Sequence, residues 1–258
     1  MYENALQIQK KYDNILSRGE VNMKYEIFGG DFPAVTIFLE DGESIYTQAG
    51  GLAWMSDQIR MDTNVKGGFL AGFKRMLSGD SLFIADYVAE APNQEITLSA
   101  SLPGTILPMV IDEDHHYICQ KGAFLGATQG TTVDMAATNS FWAGLFGGEG
   151  FFLQHLTGEG LVFVELDGSI REIDLKPGQT IKVDSGNVAM FEDCVQYDIE
   201  SIKGFKNVLF GGEGLFLTTL TGPGKVWLQT MTAKDLAGRL VPFLPTPTST
   251  TTTIHTGD

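Results

Sequence analysis

Positive charge is what this sequence has least of. Lys and Arg number 17 against 32 Asp and Glu, a formal net charge of −15 over 258 residues. A field of that sign repels phosphate backbones and argues against sequence-independent nucleic-acid binding. Cysteine is nearly absent. Cys119 and Cys194 are the only two, and neither sits in a Cys/His cluster with metal-ligand spacing, so both read as reduced structural thiols. No run approaches 18 apolar residues, which excludes a membrane-crossing helix. Glu3 stands where a leader would be basic, and no apolar core follows it. The expectation is a soluble cytoplasmic protein. Phosphate-binding glycine loops that open a helix are missing, as is the Gly-x-Ser-x-Gly elbow of serine hydrolases.

Glycine is abundant instead. There are 31 in 258 residues, well above the usual share of about 7%. With no collagen period, the excess belongs at tight turns and strand ends. Some of it lies in a motif that occurs three times. Residues 141–153 read FWAGLFGGEGFFL, residues 205–217 read FKNVLFGGEGLFL, and residues 69–84 give a diverged copy, FLAGFKRMLSGDSLFI. Their acidic residues Asp80, Glu149 and Glu213 are 69 and 64 positions apart (149−80 and 213−149). A spacing that nearly repeats points to a repeat architecture.

Around these copies the pattern alternates. Ala34–Leu39, Ser44–Thr47 and Leu52–Met55 are short β-rich segments punctuated by Asp41-Gly42 and Gly50-Gly51, and Asp57–Asp62 carries Ile59 and Met61 in alternation with polar residues,. A similar order recurs twice, leading to the second and third motifs. Thr157-Gly-Glu-Gly160 and Thr221-Gly-Pro-Gly224 are matched turns, and they precede matched strands at 162–165 and 226–229. Many short strands with regular turns predict an all-β sandwich or a closed barrel, built from about three related units at 23–90, 95–165 and 170–231. Helical periodicity is confined to the ends. Asn4, Ala5, Ile8, Tyr12, Ile15 and Gly19 predict an amphipathic helix within residues 1–20. Thr232, with Asp235 three positions on, predicts a second helix over 232–241. The Thr- and Pro-rich stretch 245–258 predicts a flexible tail.

Several of these segments, taken in order, resemble a known family. They are GESIY (42–46), GLAWM (51–55), GFLAGFKRML (68–77), LFGGEG (145–150 and 209–214) and GPGKVWLQT (222–230). The chain resembles the altered-inheritance-of-mitochondria family, whose bacterial members form a domain of unknown function, over roughly residues 23–231. The resemblance implies β-sandwich repeats similar to the tryptophan RNA-binding attenuation protein (TRAP-like, a form of double-stranded β-helix) and assembly as a homotrimer. It also implies a mitochondrial inner-membrane organising role in fungi. It supplies no catalytic residues and no cofactor.

Candidate chemistry is correspondingly thin. Double-stranded β-helices include metal enzymes, which directs attention to His115, His116, His155 and His255. Neighbouring strand residues face opposite ways, so His115 and His116 cannot share an ion, and His155 lies in another part of the unit. No His-x-His with a downstream Glu is present, so no metal site is expected. Asp112-Glu113-Asp114 reads as a solvated hairpin tip. Asp80, Glu149 and Glu213 are the candidates for a functional trio, set against a purely structural role at glycine turns. The aromatic residues between Phe141 and Phe152 suit two core strands, or a surface that touches a membrane or a partner.

The reading that results is a non-enzymatic oligomeric scaffold or interaction protein without catalytic or cofactor residues. The alternative is a small-ligand or metal-dependent enzyme that uses a pocket between repeats. Strands apolar at nearly every position, such as Ala34–Leu39, call for cover on both faces, and open sheet edges call for capping. A homotrimeric ring meets both needs, with the N-terminal helix as a candidate clasp.

Overall fold

The structure, a computed structural model, describes residues 23–48, 50–62, 84–136, 153–201 and 216–244. The first third of the chain supplies β1 (Lys24–Phe28), β2 (Ala34–Leu39), β3 (Ser44–Gln48), β4 (Leu52–Met55), β5 (Ile59–Asp62), β6 (Ile84–Ala89) and β7 (Gln94–Ser99). The second supplies β8 (Gly104–Ile111), β9 (Tyr117–Gln120), β10 (Phe124–Thr128), β11 (Thr131–Met135), β12 (Leu153–Gly158) and β13 (Gly160–Asp167). The last supplies β14 (Ile170–Leu175), β15 (Thr180–Asp184), β16 (Val188–Glu192), β17 (Gln196–Ser201), β18 (Phe216–Thr221) and β19 (Gly224–Gln229), followed by α1 (Ala233–Leu240). The protein is all-β, as expected. Its sheets are open, so the barrel alternative is not the one adopted among the described residues.

The pairing repeats strand for strand. β13 lies between β8 and β10, β19 between β14 and β16, and β7 between β2 and β4. β12 lies between β11 and β9, β18 between β17 and β15, and β6 between β5 and β3. Each third thus makes two three-stranded half-sheets, with β1 added outside β2. β7 completes the first third, whereas a boundary at residue 90 would assign it to the second. A β-bulge recurs at the equivalent place in each third, between Leu52 and Trp54, Phe124 and Gly126, and Val188 and Met190. An extra residue there bends the strand and increases its twist, so that it leaves its own half-sheet aimed at a neighbour's.

Half-sheets from successive thirds join edge to edge. β3 pairs with β10 to give the sheet β5-β6-β3-β10-β13-β8, and β9 pairs with β16 to give β11-β12-β9-β16-β19-β14. The two terminal halves stay separate, as β1-β2-β7-β4 and β15-β18-β17. Three cores fill the spaces between sheets. Along β13, Leu161 and Phe163 enter the core under β2 and β7, while Val162 and Val164 enter the one shared with Tyr117, Met190 and Trp227. A period of two on a strand covered on both sides explains an apolar run that a one-sided sheet would not tolerate. The third core holds Leu153, Phe191, Val195 and Leu220.

Turn chemistry follows local rules. Gly42 adopts φ +80° at the Asp41-Gly42 turn, a conformation that costs glycine little,. Gly158 adopts φ +95° in a spot where a Cβ would collide with the carbonyl oxygen of Gly130. Thr232 caps α1 by accepting from the amide of Asp235 at 3.0 Å, which satisfies one of the helix's orphan donors. No helix among the described residues is long and apolar enough to cross a membrane. The expected N-terminal helix and C-terminal tail lie outside the described residues.

Candidate functional site

The densest side-chain hydrogen bonding between strands distant in sequence, among the described residues, lies at the joints between the thirds. Each internal joint carries the same side-chain lock. Gln48, at the end of β3, donates from Nε2 to Glu165 Oε1 of β13 at 3.1 Å. Gln120, at the end of β9, donates from Nε2 to Gln229 Oε1 of β19 at 3.1 Å. Gln229 makes three further contacts: its Oε1 also accepts from the amide of Asp167, its Nε2 donates to Gly186 O, and its own carbonyl accepts from Asn187 Nδ2. A satisfied buried network of this kind fixes register, because a slip leaves several polar atoms unpaired.

Glu165 departs from Gln229 in being ionisable. It is 4% exposed, and its carboxylate accepts from the Ser101 amide and hydroxyl as well as from Gln48. Burial nonetheless pushes its pKa up to about 6, with the Ser101 and Gln48 hydrogen bonds pulling the other way. Burial also raises neighbouring Asp167 to about 6. Both border a crevice of about 260 Å³ that Lys121 and Thr232 also line. That volume falls below the roughly 300–1,000 Å³ of small-molecule sites. The Glu165 oxygens thus accept three hydrogen bonds from within the protein.

The two terminal half-sheets make no such joint among the described residues. At the internal joints the bridging strands are buried: all five residues of β10 and the first four of β16. Their equivalent β4 is open along its outer edge among the described residues, with Ala53 and Trp54 exposed, the latter at 56%. Likewise β3 buries Ile45, Tyr46 and Thr47, whereas its equivalent β15 alternates between exposed and half-buried residues and has no neighbour beyond itself among the described residues. Phe28 extends the apolar surface beside Trp54, with ring centroids 6.3 Å apart. Among the described residues, β4 at one end is thus of the strand type that β15 at the other end has no partner from.

Asp80, Glu149 and Glu213 lie outside the described residues, as do Phe141–Phe152 and His255. His115 and His116 lie just outside β9 and take different partners, Asp112 and Asp193. His115 is exposed and joined through Nδ1 to Asp112 Oδ1 at 2.7 Å, and this contact helps hold the Asp112 carboxyl below its usual value against desolvation. Glu113 and Asp114 are exposed, as a solvated tip requires. His155 is not remote from the pair. β12 runs beside β9 with His155 opposite Ile118, so His155 and His116 are diagonal neighbours on one face of the sheet. Distance in sequence concealed a cross-strand contact. Cys119 is buried and its thiol pushed up to about 12 by desolvation, whereas Cys194 is exposed.

Sequence reasoning missed the Gln locks. The signal was present in Gln48-Ala-Gly-Gly and Gln120-Lys-Gly-Ala, a recurring Gln-x-Gly just before the Gly-led strand.

Comparison with known proteins gives a consistent picture. The family described as mitochondrial biogenesis AIM24 matches residues 25–231. An uncharacterised protein of Streptococcus pyogenes serotype M6 is 31% identical over 223 residues, covering 83% of this chain and 88% of that protein. An X-ray crystal structure of a Streptococcus pyogenes protein superposes with a TM-score of 0.71 at 29% identity, covering 86% of this chain and all of that one. The family match spans all nineteen described strands except the first residue of β1. This chain belongs to the AIM24 mitochondrial biogenesis family.

Proposed function

We propose that the chain is a non-enzymatic scaffold subunit that closes head to tail with two copies of itself into a TRAP-like homotrimeric ring and presents that ring to protein partners. The observation that carries this reading is the pair of unmade half-sheets. Joining β15 of one copy to β4 of the next completes β17-β18-β15-β4-β7-β2-β1, which has the β5-β6-β3-β10-β13-β8 pattern plus β1. Such an interface is heterologous, and it must either close into a ring or propagate. Closure removes the exposed edges that otherwise template aggregation. Three copies is the count that the family resemblance implies. The three hydrogen bonds that Glu165 accepts from within the protein and the small crevice favour a structural over a catalytic use of the repeat boundary.

The register of the missing joint follows from the two that exist. Gly126 faces Thr47 and Met190 faces Cys119; by the shared bulge and strand ends, Trp54 would face Val183 of the next copy. Opposed residues in such a ladder have Cα atoms about 4.5–5.5 Å apart, within the reach of a disulfide. The test is oxidation of a Trp54→Cys, Val183→Cys double variant in a Cys194→Ser background. Covalent species should end at a trimer on a non-reducing gel and be absent from either single variant. A ladder running past the trimer, or no cross-link at all, would contradict the closed ring.

A further inference from the structure

We infer that His116, His155 and Asp193 form a binding site for a transition-metal ion of the zinc type, which clamps the joint between the second and third repeats. The three residues come from adjacent strands on one face. His116 immediately precedes β9, His155 lies on β12, and Asp193 immediately follows β16. Glu192 is paired with Tyr117, and the amide of Asp193 donates to the carbonyl of His116 at 3.1 Å, which sets Asp193 directly across from His116. His116 Nδ1 is 3.4 Å and His155 Nε2 is 3.6 Å from the same oxygen, Asp193 Oδ2. One donor atom from each residue lies within 4.8 Å of the other two. A tetrahedral ion with bonds of about 2.0–2.2 Å has ligand-to-ligand edges of about 3.3–3.6 Å. The two His–Asp separations match those edges.

Hydrogen bonding within the protein does not account for the arrangement. His155 Nε2 is shielded from solvent and has no hydrogen-bond partner, and at 3.6 Å the contact with Asp193 is too long to be one,. A buried ring nitrogen left without a partner is costly, and a metal ion would satisfy it. The two rings stand edge to face, 6.1 Å apart at 85°, so they do not stack on each other. Two imidazoles and one carboxylate suit zinc and its neighbours in the first transition row, while calcium and magnesium prefer all-oxygen sets. Three protein donors leave a tetrahedral ion one position for water.

The repeat does not impose this trio. Gln48 faces Ile84 as Gln120 faces Leu153, so the matching positions at the first joint are Ser44, Asp86 and Gln129. There Gln129 Nε2 donates to Asp86 Oδ1 at 3.2 Å. The first joint is thus closed at this point by a direct hydrogen bond. At the second, two histidines and a carboxylate meet with a nitrogen left over.

The test is titration of the full chain, stripped with chelator, with Zn²⁺ by calorimetry and with Co²⁺ by visible absorption. One ion per chain should bind saturably, Co²⁺ should show the intense d–d bands of a tetrahedral site, and Zn²⁺ should raise the unfolding midpoint. His116→Gln, His155→Gln and Asp193→Asn should each weaken binding at least about tenfold. A His115→Gln, His255→Gln double variant should bind as the parent does, which separates this cluster from the other histidines. Because His→Gln could disturb folding, each variant's metal-free unfolding midpoint is measured alongside. Absence of saturable one-to-one binding by the parent would overturn the proposal. So would undiminished binding by a His116→Gln, His155→Gln double variant that unfolds like the parent.

Discussion

Replacing Glu165 with glutamine probes the internal joint through its pH dependence. The folded pKa of Glu165 is about 6, raised by burial from the ordinary 4.5. Between those values the folded state holds more protons than the unfolded one, so stability falls as pH rises through the window and levels off above about pH 6. A change of that size corresponds to about 2 kcal/mol, at about 1.36 kcal/mol per unit. The side chain is 4% exposed, so solvent screening takes little away. The Glu165→Gln amide keeps an acceptor for Ser101 and carries no titrating proton. Urea unfolding of both proteins at pH 7.5, 6.0, 5.0 and 4.5 gives the comparison, with the variant's stability subtracted from the parent's at each pH. The general acidity of the chain is common to both and cancels, and the charge of Asp167 is itself one of the influences that raise Glu165. The parent should gain about 2 kcal/mol on the variant between pH 7.5 and 4.5, equivalent to roughly 4–8 °C in midpoint for a chain of this size. A flat difference would refute desolvation as the dominant influence on Glu165. A difference of opposite slope would mean that the Ser101 and Gln48 hydrogen bonds outweigh it.

Gly158→Ala, at φ +95° against Gly130 O, should destabilise by about 1–3 kcal/mol,. Gly178→Ala, at φ +74° with no neighbour within 4 Å, should cost less,; thermal melts rank the two. Phe163 is fully buried and packs edge-on against Tyr25 at 5.2 Å, so Phe163→Ala should cost about 3–5 kcal/mol in urea unfolding. Phe32, 73% exposed, should tolerate alanine within about 0.5 kcal/mol in the same assay.

Legibility in the sequence tracked how local each cause is. The strands at 34–39 and 52–55, the Asp41-Gly42 turn and the Thr232 cap depend on residues a few positions apart, and the structure places them as expected, while the alternating stretch 57–62 becomes a strand only from Ile59. Coverage of both strand faces was likewise readable, because a strand buried on both sides loses its polar alternation. What required structure was adjacency between strands distant in sequence. Gln48 meets Glu165 across 117 positions, and His116 meets His155 and Asp193 only because β9 lies between β12 and β16. No local period records such contacts. The assignment of β7 shows the same limit, since membership of a half-sheet is decided by pairing and not by position after a turn. Asp80, Glu149 and Glu213 stood out because their motif is repeated, and they lie outside the described residues.

The mass of the native particle distinguishes a closed ring from a free chain. Light scattering behind a sizing column, at micromolar concentration and physiological salt, should give about three times the chain mass of 28.1 kDa. Trp54→Glu places a charge at the centre of the proposed β4–β15 joint. It should weaken assembly by at least about 30-fold, the equivalent of a 2 kcal/mol hot spot, while leaving the far-ultraviolet β signature intact. A parent protein that elutes as a monomer at that concentration, or a Trp54→Glu variant that remains fully trimeric, would contradict the ring.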